Sequence, residues 1–229
     1  MDEVVDGWGR GRRREGAGDV ADALREDILS LKLKPGAVLS RQALQTSFGV
    51  SSTPLRDALM RLQAEGLVEI FPQHATVVTR IDVARATQAQ FLRRAVECEA
   101  VRVMAEKPDA AVIERLRILI RRQNAFADLA DHEAFTQADQ EFHRLTYIAA
   151  GVPELWTLVR RQSGHIDRLR RLNLPVAGKM REILKAHTAI VDAIEAGDGA
   201  RAQAALRDHL SKSLTFVDTL RADHPEYFE

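Results

Sequence analysis

Asp139, His143, His187 and His209 have the residue types and the spacing of a metal site. Asp139 and His143 stand four apart in a stretch with helical periodicity, which puts them on one face, a turn from each other. His187 and His209 flank the break Gly197-Asp198-Gly199, ten residues before its start and ten after its end. In an antiparallel helical hairpin, residues equidistant from the turn sit level, here ~15 Å along each axis at ~1.5 Å per residue. Three imidazoles and one carboxylate suit a divalent ion, zinc first, with nickel, manganese and iron also accommodated. Each histidine taken alone reads more simply as a hydrogen-bonded core or surface residue, whereas the four together point to an ion. His132, His165 and His224 lack this mutual spacing, although His165 can line the same pocket.

The elements that must position these side chains are helical. Residues 82–220 contain no convincing strand, and helical patterns run over 83–106, 109–129, 132–149, 154–172, 178–196 and 199–220. The breaks fall at Lys107-Pro108, Asp131, Gly151-Val152-Pro153, Leu174-Pro175 and Gly197-Asp198-Gly199. Six helices with short connections predict an all-α antiparallel bundle, whose interior is a usual place for metal and ligand sites.

Upstream the pattern differs. Val20, Ala23, Leu24, Ile28 and Leu31 recur at helical steps until Lys34-Pro35-Gly36. Ser40 precedes a short helix with Ala43, Leu44 and Phe48, stopped by Gly49. Ser51-Ser52-Thr53-Pro54 offers an N-cap and a first-turn proline to a helix through Leu55, Ala58, Leu59 and Leu62. After Gly66, residues 67–71 and 75–79 alternate around Pro72-Gln73-His74, as a β-hairpin does. Three helices followed by a hairpin is the winged-helix order. The third helix would present Ser51, Ser52, Thr53 and Arg56 near its N-terminal end, where recognition helices meet base edges and phosphates. The pattern equally allows Arg56 to pair with Asp57 or Glu65 on a solvated face.

Composition sets bounds. The 229 residues are 45% hydrophobic and 5% aromatic, enough for a buried core and favouring helix over sheet. Cys98 is the single cysteine, which excludes an intrachain disulfide and a thiolate cluster. No apolar stretch approaches the ~20 residues needed to cross a bilayer, no membrane partner is expected, and the first residues lack a signal-peptide h-region; the expected compartment is the cytoplasm. Net charge is zero, with ten Lys/Arg against six Asp/Glu within 10–61, so phosphate contacts would come from a few placed side chains. Residues 1–18, with Arg10, Arg12, Arg13 and Arg14, read as a disordered basic tail, either solvated or an arm for a DNA groove.

Leu33-Lys34-Pro35-Gly36-Ala37-Val38-Leu39-Ser40, Phe48-Gly49-Val50-Ser51-Ser52-Thr53-Pro54-Leu55-Arg56-Asp57-Ala58-Leu59 and Leu62-Gln63-Ala64-Glu65-Gly66-Leu67-Val68 together resemble the GntR superfamily of bacterial regulators. The match covers nearly all of 20–80. It implies sequence-specific binding of a double-stranded DNA operator, most often as a repressor. Two departures bear on the operator. The family usually has a guanine-reading arginine where this chain has Ser52, and its wing often has a Gly-rich tip where this chain has Gln73-His74-Ala75. Arg41 stands where an acidic residue is common and is a candidate phosphate contact, and His74 a candidate minor-groove contact.

Asp139-Gln140-Glu141-Phe142-His143, with His187, His209 and the opening Phe91-Leu92-Arg93-Arg94-Ala95-Val96-Glu97, resembles metal-binding FCD domains, the all-helical effector domains of the FadR-like branch. The resemblance implies a homodimer and a small organic acid docked at the metal, its carboxylate gripped by an arginine near the start of the domain. Arg93 is the candidate and Arg94 the alternative, either being also a structural partner for Glu97 or Glu99. His165 and Arg168 are further pocket candidates. The expected organisation is a tail (1–18), a winged helix (19–80), a linker (81–85) and a helical effector and dimerisation domain (86–222). Two rivals remain at this stage: a winged helix fused to a metal-dependent hydrolase or lyase, and a regulator with a purely structural metal. Against the enzyme, Glu141 is a ~200° step from Asp139, pointing away from the ligand face, and no nucleophile is marked.

Overall fold

The computed structural model describes residues 16–72 and 74–229, most of them helical. The arginine cluster of the tail and Gln73 of the wing turn lie outside the described residues. Two compact units result: one holds the described residues up to Val83 together with Thr219–Glu229, the other Ala84–Asp218.

In the first unit α1 (Ala17–Leu29), α2 (Arg41–Phe48) and α3 (Ser52–Ala64) accompany three strands, β1 (Val38–Leu39), β2 (Val68–Phe71) and β3 (Ala75–Val78). The Ser40 hydroxyl accepts from Ala43 N at 3.2 Å and starts α2, a cap of about 1 kcal/mol. Gly49 ends α2 in the left-handed region (φ 63°), which a side chain would disfavour. Val20, Leu24 and Ile28 of α1 join Leu55, Leu59 and Leu62 of α3 in one core with Leu44, Phe48, Leu67 and Val78. Burying each such side chain stabilises the fold by ~1.5–3 kcal/mol before entropy is counted. The hairpin is the expected one, with Val68 opposite Val78 and Phe71 opposite Ala75. It is widened by β1, which pairs antiparallel with β3 through Val38 and Val77, giving the order β1-β3-β2. Two residues carry too little alternation for β1 to be read beforehand.

The second unit contains α4 (Val83–Glu106), α5 (Ala110–Asp128), α6 (His132–Ala149), α7 (Pro153–Gln162), α8 (Gly164–Asn173), α9 (Lys179–Glu195) and α10 (Gly199–Ser211). Asp109, Asp131 and Asp198 cap α5, α6 and α10 by accepting from backbone N–H groups of their first turns. The α5 helix packs on α6 and α9, and α9 on α10. Val101, Leu116, Phe142, Ile190, Val191, Ile194 and Leu206 are buried between them.

Three expectations are corrected. The single helix over 154–172 is two, because the chain turns at Ser163, whose hydroxyl donates to Val159 O at 2.8 Å; the described residues of this unit thus form seven helices rather than six. The helix over 199–220 stops at Ser211, and α11 (Val217–Asp223) follows separately. Finally, the helical unit runs over Ala84–Asp218 rather than 86–222. The segment after it returns to the first unit, where buried Phe228 pairs with buried Ile81 and Ile81 N donates to Tyr227 O at 2.7 Å. Ile81, expected at the start of a free linker, is therefore a paired residue.

Candidate metal centre and nucleic-acid interface

Asp139 and His143 lie one turn apart on α6, His187 on α9 and His209 on α10, and all four are buried. The turn at Gly197 (φ 72°) sets the last two level, as the spacing predicts. Each residue offers one ligand atom, and these atoms lie within 4.8 Å of one another. Phe142 stacks on the His187 ring with centroids 4.0 Å apart and forms an apolar wall.

Three of the four ligands have a partner on the side away from the cluster. The Arg170 guanidinium donates to Asp139 Oδ2 at 2.5 Å. His187 Nδ1 is 2.9 Å from Gln123 Oε1, an acceptor that sets the proton on Nδ1. His143 Nδ1 is 2.7 Å from Glu97 Oε2. The His143 Nδ1 and Glu97 Oε2 atoms meet at ion-pair distance without hydrogen-bond alignment. Asp139 Oδ1, His143 Nε2 and His187 Nε2 are buried, without a hydrogen-bond partner and turned to the cluster. Leaving such atoms unsatisfied costs ~1–3 kcal/mol each. One cation among them would satisfy all three.

Electrostatics holds the ligands in their metal-ready forms. Burial pushes His187 down to about 3, and burial with the imidazoles of His187 and His143 pushes His209 well below its ordinary value. Both rings are therefore neutral donors at physiological pH. Burial opposes ionisation of Asp139, but the Arg170 guanidinium beside it outweighs this and holds the carboxyl well below the usual range. Neutral nitrogens with one carboxylate oxygen fit a borderline divalent ion such as zinc.

The structure places the effector candidates differently from one another. Arg93 points into the unit, and its Nε donates to Glu97 Oε1 at 2.8 Å; Nη1 and Nη2 bond to no described residue. Glu97 Oε1 also accepts from Tyr147 Oη at 3.1 Å. Arg94, a ~100° step round α4, is half-buried and is not brought to this pair. On α8, buried Arg168 and His165 lie together, Nη2 to Nδ1 at 3.1 Å. Glu141 is exposed and paired with Arg122 at 3.2 Å, outside the cluster. Sequence reasoning missed the roles of Gln123, Tyr147 and Arg170. Of Glu97 it saw only the local pairing with Arg93.

In the first unit, Ser51, Ser52, Thr53 and Arg56 are all exposed at the start of α3. Ser51 holds the N-cap position without a side-chain capping bond. Arg56 approaches Asp57 at 3.5 Å with 69% of its side chain in solvent, a contact worth little. Arg41 is exposed at the start of α2, its guanidinium 3.5 Å from Thr76 Oγ1, and His74 is exposed at the wing turn.

Comparison with known proteins agrees with this architecture. Residues 17–78 match the bacterial regulatory proteins of the gntR family, and residues 88–212 match the FCD domain. The chain is 40% identical over 220 residues to an uncharacterized HTH-type transcriptional regulator in an unstable DNA locus of Streptomyces ambofaciens, covering 96% of this chain and 91% of that protein. It is 26% identical to the HTH-type transcriptional repressor RspR of Escherichia coli, covering 90% of each. Its fold resembles Escherichia coli McbR/YncC with a TM-score of 0.76 at 19% identity, over 91% of this chain and 98% of that one. No helix among the described residues is long and apolar enough to cross a membrane. The FCD match alone spans more than half of the chain, and the protein belongs to the GntR family of DNA-binding transcriptional regulators, which are not enzymes, with an FCD domain as its C-terminal unit.

Proposed function

We propose that the protein is a homodimeric repressor whose operator affinity is set by a small organic acid bound at a metal ion in the FCD unit. The observation that carries this reading is the convergence of Asp139 Oδ1, His143 Nε2 and His187 Nε2, buried and unsatisfied beside His209. A bound divalent ion supplies a Lewis-acidic docking point for carboxylate oxygen. Arg93 contributes the second grip: Glu97 fixes it through Nε, which leaves the planar Nη1/Nη2 end for bidentate pairing. His165 and Arg168 add a buried polar wall on α8, and Arg94 is the weaker candidate because it lies off this face.

On the DNA side, Arg56 is proposed to read a base edge, with Ser51, Ser52 and Thr53 beside it, Arg41 on phosphate and His74 in the minor groove. Ser52 lacks a guanidinium, so the operator departs from the usual consensus of the family. A dimer placing two α3 helices in neighbouring major grooves requires a short pseudo-palindrome. The acid changes operator affinity only by its differential affinity for two arrangements of the dimer. Repression is supported by relatives named repressors, among them RspR, and the work of such a regulator is done in the cytoplasm, with the DNA.

Burial of all four ligands favours a second reading, an ion that only ties α6, α9 and α10 together. Operator DNA selected from random duplexes with the metal-loaded protein, then titrated by fluorescence anisotropy with and without candidate acids, separates the two. Metal-dependent weakening of operator binding by an acid is the expected result. Operator binding indifferent to every acid, in loaded and stripped protein alike, leaves only the structural ion.

A further inference from the structure

The geometry points to Glu97 as a positioning residue shared by the metal cluster and the effector arginine: one carboxylate oxygen orients His143, and the other holds Arg93. This rests on the metal reading above and extends it to a residue outside the ligand set.

Glu97 is completely buried, where an isolated carboxylate is costly, yet it is surrounded by donors. Oε2 lies 2.7 Å from His143 Nδ1, and Oε1 accepts from Arg93 Nε at 2.8 Å and from Tyr147 Oη at 3.1 Å. Arg93 and Glu97 are one turn apart on α4, and His143 and Tyr147 one turn apart on α6. The carboxylate thus joins two helices by three contacts. A carboxylate on Nδ1 fixes the imidazole tautomer with its proton there, turns Nε2 toward the ion and raises its basicity. Gln123 does the corresponding work for His187 with a neutral oxygen, so Glu97 is the charged member of the pair of orienting groups. The Oε1 contacts fix the direction of Arg93 while using only its Nε. A purely structural Arg93–Glu97 ion pair would need no imidazole on the second oxygen.

The test compares zinc affinity, by competition with a chromophoric chelator, in the full-length wild type, in Glu97→Gln and in the double variant Glu97→Gln/Arg93→Met. The double variant removes both buried charges together and so avoids stranding the guanidinium. Both variants are expected to bind zinc roughly 10–100-fold more weakly than wild type, and a double variant with wild-type affinity would overturn the proposal. Whether or not the variants fold, proton–nitrogen NMR correlations on the zinc-loaded wild type should place the His143 proton on Nδ1 and zinc on Nε2. Zinc on Nδ1 overturns the proposal outright. A wild type that takes up no zinc overturns instead the metal reading beneath it.

Discussion

The first unit buries an apolar core and carries its candidate reading residues on its surface, whereas the second keeps its candidate site inside its own core. Thr76 is the one polar residue buried in the first unit among the described residues. The second unit buries Arg93, Glu97, Gln123, Asp139, His143, His165, Arg168, His187 and His209. A surface reader can change its target without touching its stability, because Arg56 and Ser52 support nothing beneath them. A buried sensor cannot: its ligands, their orienting partners and its packing are the same atoms. Substitutions should therefore separate function from fold in the first unit and couple them in the second.

The largest expected effect is Asp139→Ala. It removes a ligand and leaves the Arg170 guanidinium only its 3.7 Å contact with Asp167, and urea unfolding of metal-loaded protein should show a loss of about 3 kcal/mol or more. A loss under about 0.5 kcal/mol, the size of an ordinary surface change, would erase the contrast between the units. Next comes Arg56→Ala, expected to weaken the selected operator by ~1–3 kcal/mol while stability stays within about 0.5 kcal/mol. Parallel losses of binding and stability would mean that the reader is coupled to its core after all. Arg93→Lys keeps a cation beside Glu97 but lacks the planar fork, so calorimetry should find acid affinity reduced roughly tenfold, about 1.4 kcal/mol. Zinc binding should survive it. The smallest effect sharpens the comparison from outside: Glu141→Ala removes only the exposed pair with Arg122 and should alter neither zinc affinity nor stability beyond about 0.5 kcal/mol.

Legibility in the sequence followed the same division. The winged helix was readable because its elements are defined locally, by Ser40, Gly49, Gly66 and the alternation after Leu67. Two features escaped: β1, having two residues and a partner far along the chain, and the end of α1, which stops at Leu29 and leaves Leu31, read as helical, at φ 64°. The four candidate ligands were readable too, since a four-residue step and symmetry about Gly197-Asp198-Gly199 are local facts. Their supporting shell was not. Gln123, Arg170 and Glu97 stand on α5, α8 and α4, and only the packing of those helices around α6 and α9 brings them to His187, Asp139 and His143. The break at Ser163 was hidden by continuous helical periodicity through Arg160, Arg161 and the following turn. The return of Phe228 to Ile81 pairs the end of the chain with the segment between β3 and α4, which no local pattern announces.

The central claim, an acid sensed through a metal, is tested most directly by a thermal-shift screen of small carboxylic acids on metal-loaded protein and on the same protein stripped by a chelator. A ligand at 100 times its dissociation constant adds about 2.7 kcal/mol to the native state, a readily measured rise in Tm. Acids that raise Tm only in the loaded protein, with stripping itself lowering Tm, are the predicted result. No acid response in either form, together with a Tm unchanged by stripping, would contradict it and leave Asp139, His143, His187 and His209 as ordinary core residues.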